Sequence, residues 1–115
     1  MENVLASLMR VIQDRRANPP PRSYTASLFA GGVERIGEKL REEAAEAVEA
    51  AAEAGEEGRR HLIHEAADVV YHLLVLMGLR DVTLADLEGE LAKRFGISGL
   101  DEKAARQPVH NAPSP

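Results

Sequence analysis

The chain has 115 residues, with 14 Lys and Arg against 19 Asp and Glu, a formal charge of −5 and no cysteine. That length suits a single domain with a modest core, and the acidic balance counts against nucleic acid as the main partner, which demands a basic face. Absence of cysteine excludes disulfide and thiolate chemistry, while 44% hydrophobic but only 3% aromatic residues favour an alanine-rich helical protein over a sheet.

The first predicted element, Asn3 to Arg16, carries Val4, Leu5, Leu8, Val11 and Ile12 at amphipathic helical spacing. Val4 to Met9 is too short for a secretory leader and soon meets Arg10, so a cytoplasmic location is expected. The helix should end at Asn18, because Pro19, Pro20 and Pro21 cannot continue it. Arg22, Ser23, Tyr24 and Thr25 then read as an ordered loop with one guanidinium and three hydroxyls, a phosphate-friendly set. A short helical turn over Ser27 to Ala30 is expected, closed by Gly31 and Gly32.

The second long helix is expected from Val33 to about Ala54, stopped by Gly55 and Gly58. Ile36, Leu40, Ala44, Ala47 and Ala51 form its expected buried face, and Glu38, Glu42, Glu46, Glu49 and Glu53 an acidic ridge beside it. Like charges at i, i+4 cost an isolated helix roughly 0.2–0.5 kcal/mol per pair, so the ridge calls for a cation. A third helix is expected from about Arg59 to Leu79. Its longest apolar run, Ala66 to Leu79, contains Asp68 and His72 and falls short of a bilayer span, so no membrane partner is expected. This helix is apolar round most of its circumference, yet His61, Glu65, Asp68 and His72 share one narrow stripe. Thr83, with Asp86 three residues on, caps a fourth helix running to Phe95 and ended by Gly96. One more turn is expected within 98–106, and 107–115 reads as a disordered tail beyond a single domain of residues 1–106.

Glu43 and Glu46, then Glu65 and Asp68, are two i, i+3 acidic pairs on neighbouring helices. Four carboxylates about 6 Å apart repel by roughly 3 kcal/mol per pair at an effective dielectric near 20. Together that is on the order of 15 kcal/mol, comparable with the stability of a whole domain. A hard divalent cation between the helices removes the penalty, and all-oxygen ligation suits Mg²⁺ or Mn²⁺. Solvated surface charge is the competing reading, and it fits the Glu-rich helix better than it fits Glu65 and Asp68. Carboxylate-held Mg²⁺ usually accompanies phosphates, for which Lys39, Arg15, Arg16 and Arg22 are the candidate cations, although Lys39 could equally pair with Glu42 or Glu43. His61 and His72 could orient a ligand or move a proton, or be hydrogen-bonded core histidines, and Tyr71 could pack at an interface or stack on a base.

At these residues the sequence resembles the phosphoribosyl-ATP pyrophosphohydrolases. The segments that carry the likeness are VIQDRRANPPPRSYTASLFAGG, RIGEKLREEAAEAVEAA, HEAADVVYHLLVLMGL and RFGISGLDEKAAR. The acidic pairs alone are shared with the wider all-alpha nucleoside-triphosphate pyrophosphohydrolase superfamily. The resemblance implies an all-α bundle of about four to five helices completed by homodimerisation. It also implies Mg²⁺-dependent hydrolysis of phosphoribosyl-ATP to phosphoribosyl-AMP and pyrophosphate in histidine biosynthesis. The superfamily metal ligands land on Glu43, Glu46, Glu65 and Asp68, and Glu42 takes the extra acidic position. The substrate-facing loop lands on Arg22, Ser23, Tyr24 and Thr25, with Arg15, Lys39 and His72 as further substrate candidates. The acidic run Ala52 to Glu57 departs from relatives, which often carry a lysine there. Two alternatives stand beside this one: a house-cleaning pyrophosphohydrolase of noncanonical nucleoside triphosphates, and a non-catalytic helical dimerisation module. A di-iron carboxylate bundle is disfavoured, because the i+3 partners of Glu43 and Glu65 are Glu46 and Asp68 rather than histidines.

Overall fold

Three of the four helices begin where a side chain can accept from a free backbone N–H of the first turn: Asn3 ahead of α1, Ser23 ahead of α2 and Thr83 ahead of α4. In the computed structural model, which describes residues 3–95, these helices are α1 (Val4–Ala17), α2 (Tyr24–Ala51), α3 (Gly55–Leu79) and α4 (Leu84–Arg94). The protein is all-α, with no strand among the described residues. The turn expected within 98–106, the stop at Gly96 and the tail from 107 lie outside them.

Two boundaries differ from expectation. Ser23 accepts from the Ala26 N–H at 3.1 Å, so the chain is helical from Tyr24: Tyr24 and Thr25 of the expected loop join the expected short turn in α2, while Arg22 and Ser23 stay outside the helix. The break expected at Gly31 and Gly32 is present as a kink inside α2. Gly32 takes φ 71°, ψ −164°, a conformation open essentially to glycine alone, and α2 is two helical segments meeting at that kink. At the far end α2 stops at Ala51, and Gly55 (φ 74°) opens α3 rather than closing α2. Gly58 lies in the first turn of α3, where an added Cβ would fall 2.2 Å from the Glu53 carbonyl oxygen. The acidic connection folds back onto α3, and glycine is what lets it do so.

Met9 and Ile12 of α1, Leu28, Ile36 and Ala50 of α2, and Leu74 and Val75 of α3 form the core. Gly78 brings α3 close enough for Phe29 and Ile12 to lie against it. The Arg16 guanidinium donates to the Gly78 carbonyl at 2.7 Å and to Asp81 at 2.6 Å, tying the end of α1 to that of α3. Arg16 is thereby a structural tie rather than the free phosphate candidate expected from sequence.

The seam between α2 and α3 is offset from the expected one. On α2 it runs Ile36, Leu40, Glu43, Ala47, Ala50, all buried or half-buried, whereas Ala44 and Ala51 are exposed. Alternating steps of four and three keep a stripe on one side of a helix facing a neighbour. That spacing puts Glu43, not Ala44, inside. On α3 the same alternation runs His61, Glu65, Asp68, His72, Val75. The polar stripe of α3 therefore forms much of the inner seam, and Ile63 is 55% and Val70 37% exposed. By length and composition α3 could cross a membrane (mean hydropathy 1.5, 28% of that stretch buried). A core helix meets the same test, and Glu65 and His72 are buried along it. Residues 82–95 fall in a separate unit, and α4 is described by itself. Its capping box is complete, with Asp86 N–H donating to the Thr83 hydroxyl at 3.0 Å and Thr83 N–H to the Asp86 carboxylate at 2.9 Å.

Candidate metal centre

Helix α2 presents Glu43 and Glu46 one turn apart, and α3 presents Glu65 opposite them. Each offers a carboxylate oxygen, and these three oxygens lie within 4.8 Å of one another. A second group, His64, Glu65 and Asp68, meets the same limit and shares Glu65 with the first. Glu65 is 6% exposed, Glu43 and Asp68 are half-buried, and Glu46 is exposed. Glu43 Oε1 and Glu65 Oε1 are both buried with no hydrogen-bond partner. Two orphaned carboxylate oxygens on facing helices carry a heavy desolvation cost. The Glu43 carboxyl shows it: burial foremost, then a hydrogen bond its protonated form can share with the Glu65 carboxyl, then the charges of Asp68 and Glu65, push it above the ordinary 4.5, with His72 partly offsetting. The donor set is hard oxygen plus one imidazole, which fits Mg²⁺ or Mn²⁺.

Three of the four acids expected from sequence thus converge directly, and Asp68 joins through the group it forms with Glu65 and His64. His64 was missed, although its signal was legible: His64 and Asp68 are i, i+4, and Nε2 lies 3.5 Å from the Asp68 carboxylate. His61 lies between two acids, with Nδ1 3.0 Å from Glu53 Oε2 and Nε2 3.2 Å from Glu65 Oε2. Its pKa is raised above 6.5, mainly by the hydrogen bond to Glu53 and against a smaller desolvation effect.

The helix-start residues meet α3 above this cluster. His72 Nδ1 lies 2.8 Å from the Asp68 carbonyl, which can only accept. Nδ1 therefore carries the proton, and in the neutral ring Nε2 accepts from the Tyr24 hydroxyl at 3.0 Å. Burial raises the Tyr24 hydroxyl above 10.0, with Lys39 pulling the other way, so it remains a donor at neutral pH. Thr25 and Tyr71 share a short hydroxyl–hydroxyl hydrogen bond, and the Tyr24 and Tyr71 rings stack at 6.3 Å. Tyr71 joins α3 to the start of α2 within one chain. Lys39 pairs with Glu42 at 3.3 Å, the plainer of its two sequence readings, and this hydrogen bond is the main reason its pKa is raised above 10.5. Ser23 acts as the α2 cap, Arg15 pairs loosely with Asp14 at 3.9 Å, and Arg22 is exposed with φ 66°.

Comparison with known proteins gives the family. The family model for phosphoribosyl-ATP pyrophosphohydrolase matches residues 5–95. A phosphoribosyl-ATP pyrophosphatase of Rhodopirellula baltica is 51% identical over 102 residues, covering 89% of this chain and 85% of its own. Those of Dinoroseobacter shibae (49% over 104 residues, 90% and 99% covered) and Geotalea daltonii (45% over 106 residues, 91% and 96%) are similar over nearly their whole lengths. With a matching family model over most of its length and relatives of this identity, the chain belongs to the phosphoribosyl-ATP pyrophosphohydrolase family.

Proposed function

We propose that Glu43, Glu46, Glu65 and Asp68 hold Mg²⁺, with Mn²⁺ able to replace it, in a cytoplasmic homodimer. The observation that carries this is the facing pair of buried, unpartnered oxygens, Glu43 Oε1 and Glu65 Oε1. The reaction is hydrolysis of phosphoribosyl-ATP to phosphoribosyl-AMP and pyrophosphate, a step of histidine biosynthesis. When bound, the cation supplies Lewis-acid polarisation and neutralises charge on the polyphosphate.

The chain's own groups supply the rest. Lys39, held beside Glu42, places a cation on the α2 face that carries Glu43. Glu42 is the acid of that pair and the further catalytic candidate, and Arg15 and Arg22 offer guanidiniums to the phosphates. Tyr24 and His72 fix each other's orientation, and Thr25 and Tyr71 do the same, so Ser23, Tyr24 and Thr25 form a wall of ordered polar groups for the substrate. Val48, Ile63 and Val70, exposed in one chain, support burial against a second copy. On this reading residues 1–106 are the catalytic domain.

Turnover of phosphoribosyl-ATP is compared with that of a panel of nucleoside triphosphates, with Mg²⁺ and with chelator. Mg²⁺-dependent formation of phosphoribosyl-AMP and pyrophosphate is the expected result. Pyrophosphate from simple triphosphates alone would move the assignment to a house-cleaning enzyme. No turnover, together with no Mg²⁺ effect on thermal unfolding, would leave a helical dimerisation module.

A further inference from the structure

His61 lies outside the acidic pairs, yet it contacts the most buried acid among them. Its Nε2 reaches Glu65 Oε2 at 3.2 Å, and its Nδ1 reaches Glu53 Oε2 at 3.0 Å. The other Glu65 oxygen, Oε1, is the one that is buried without a partner. The imidazole therefore decides which oxygen is engaged and which remains for a ligand. Its position is set from two sides. On α3 it stands one turn before Glu65. From the α2–α3 connection it is held by Glu53, whose carbonyl lies so close to Gly58 that no Cβ would fit there. That contact fixes the Glu53 backbone beside the start of α3.

We propose that His61, anchored by Glu53, is a positioning residue for the metal site: it holds Glu65 through Oε2 so that Oε1 is presented to the cation. The inference rests on the metal reading above. Carboxylate ligands are in turn hydrogen-bonded, and loss of such an outer partner typically weakens metal affinity about 10–100-fold. Neither Glu53 nor His61 touches the substrate in this scheme. The α2–α3 connection, the acidic run that departs from relatives in sequence, becomes part of the site's scaffolding.

Calorimetric titration of the full chain with Mn²⁺, without substrate, separates this inference from the reading beneath it. If the parent protein binds no Mn²⁺, the metal reading itself fails and the positioning role falls with it. If the parent binds, His61→Ala is expected to weaken binding about 10–100-fold. Glu53→Ala is expected to weaken it in the same direction but less. His61→Gln, whose amide N–H can replace Nε2–H, should recover most of the loss. Unfolding of each variant in chelator should stay near that of the parent, which separates lost metal affinity from lost fold. Equal binding by His61→Ala and the parent overturns the proposal. Equal loss in His61→Ala and His61→Gln also overturns it, since the loss would then not follow the hydrogen bond to Glu65. Unchanged binding by Glu53→Ala removes Glu53 from the device.

Discussion

Glu43 has the most to gain from a cation. It is half-buried, one of its oxygens has no partner, and its carboxyl is pushed upward by burial and by neighbouring acids. The sign follows directly. A carboxyl raised on folding favours the protonated native state, so its contribution is present below 4.5 and is lost as pH rises through the folded value. At neutral pH without metal, the Glu43 charge is a local liability. Glu43→Gln should therefore stabilise the metal-free protein, by roughly 1 kcal/mol or about 4–8 °C in thermal midpoint. The same change should abolish the stabilisation that Mg²⁺ gives the parent. Parallel melts in chelator and in Mg²⁺ measure both. Equal destabilisation in the two conditions would mean that Glu43 serves the packing alone.

Among the elements, the α2–α3 connection and α4 each make a claim that one substitution can test. Gly58→Ala would push a Cβ into the Glu53 carbonyl. It should cost about 2–4 kcal/mol in chemical denaturation, well beyond the helix propensity that alanine adds. In α4, the Thr83 backbone N–H foremost, and then the rest of the capping box, holds the Asp86 carboxylate below its ordinary 3.8. A carboxyl lowered on folding contributes stability that is present above 3.8 and is lost as pH falls through the folded value. Amide-exchange protection over Leu84 to Leu87, taken relative to the intrinsic rate at each pH, should therefore fall below that pH in the parent, and Asp86→Asn should flatten the response. That capping box was legible in the sequence because both partners are local. The α2 seam was not. Ile36, Leu40, Ala44, Ala47 and Ala51 fit a helix as well as Ile36, Leu40, Glu43, Ala47 and Ala50 do, and burying alanine costs less than burying glutamate. Only the packing of α3 chooses between them. His64 lies off the stripe that His61, Glu65, Asp68 and His72 define, so that periodicity does not point to it.

For the whole molecule, an inner seam rich in acids leaves apolar side chains outside. Val48 is 72% exposed, and Ile63 and Val70 join it. Sedimentation equilibrium should find twice the 12.5 kDa of one chain, and Ile63→Glu should shift the population toward monomer. Ile63→Glu with unchanged mass would move the self-association surface elsewhere. The helical class, the four long elements and the acids that converge were legible from periodicity and from charge lodged in an apolar helix. The inward direction of α3 was legible too, because on a helix apolar on most sides the stripe of His61, Glu65, Asp68 and His72 needs a partner and the acids of α2 need a cation. The central claim is that carboxylates of α2 and α3 share one divalent ion. Anomalous scattering from crystals grown with Mn²⁺ and a non-hydrolysable substrate analogue tests it most directly. The expected result is a peak held among the carboxylates of Glu43, Glu46, Glu65 and Asp68. A fully occupied analogue with no peak there, or a peak held by other residues, would contradict the assignment.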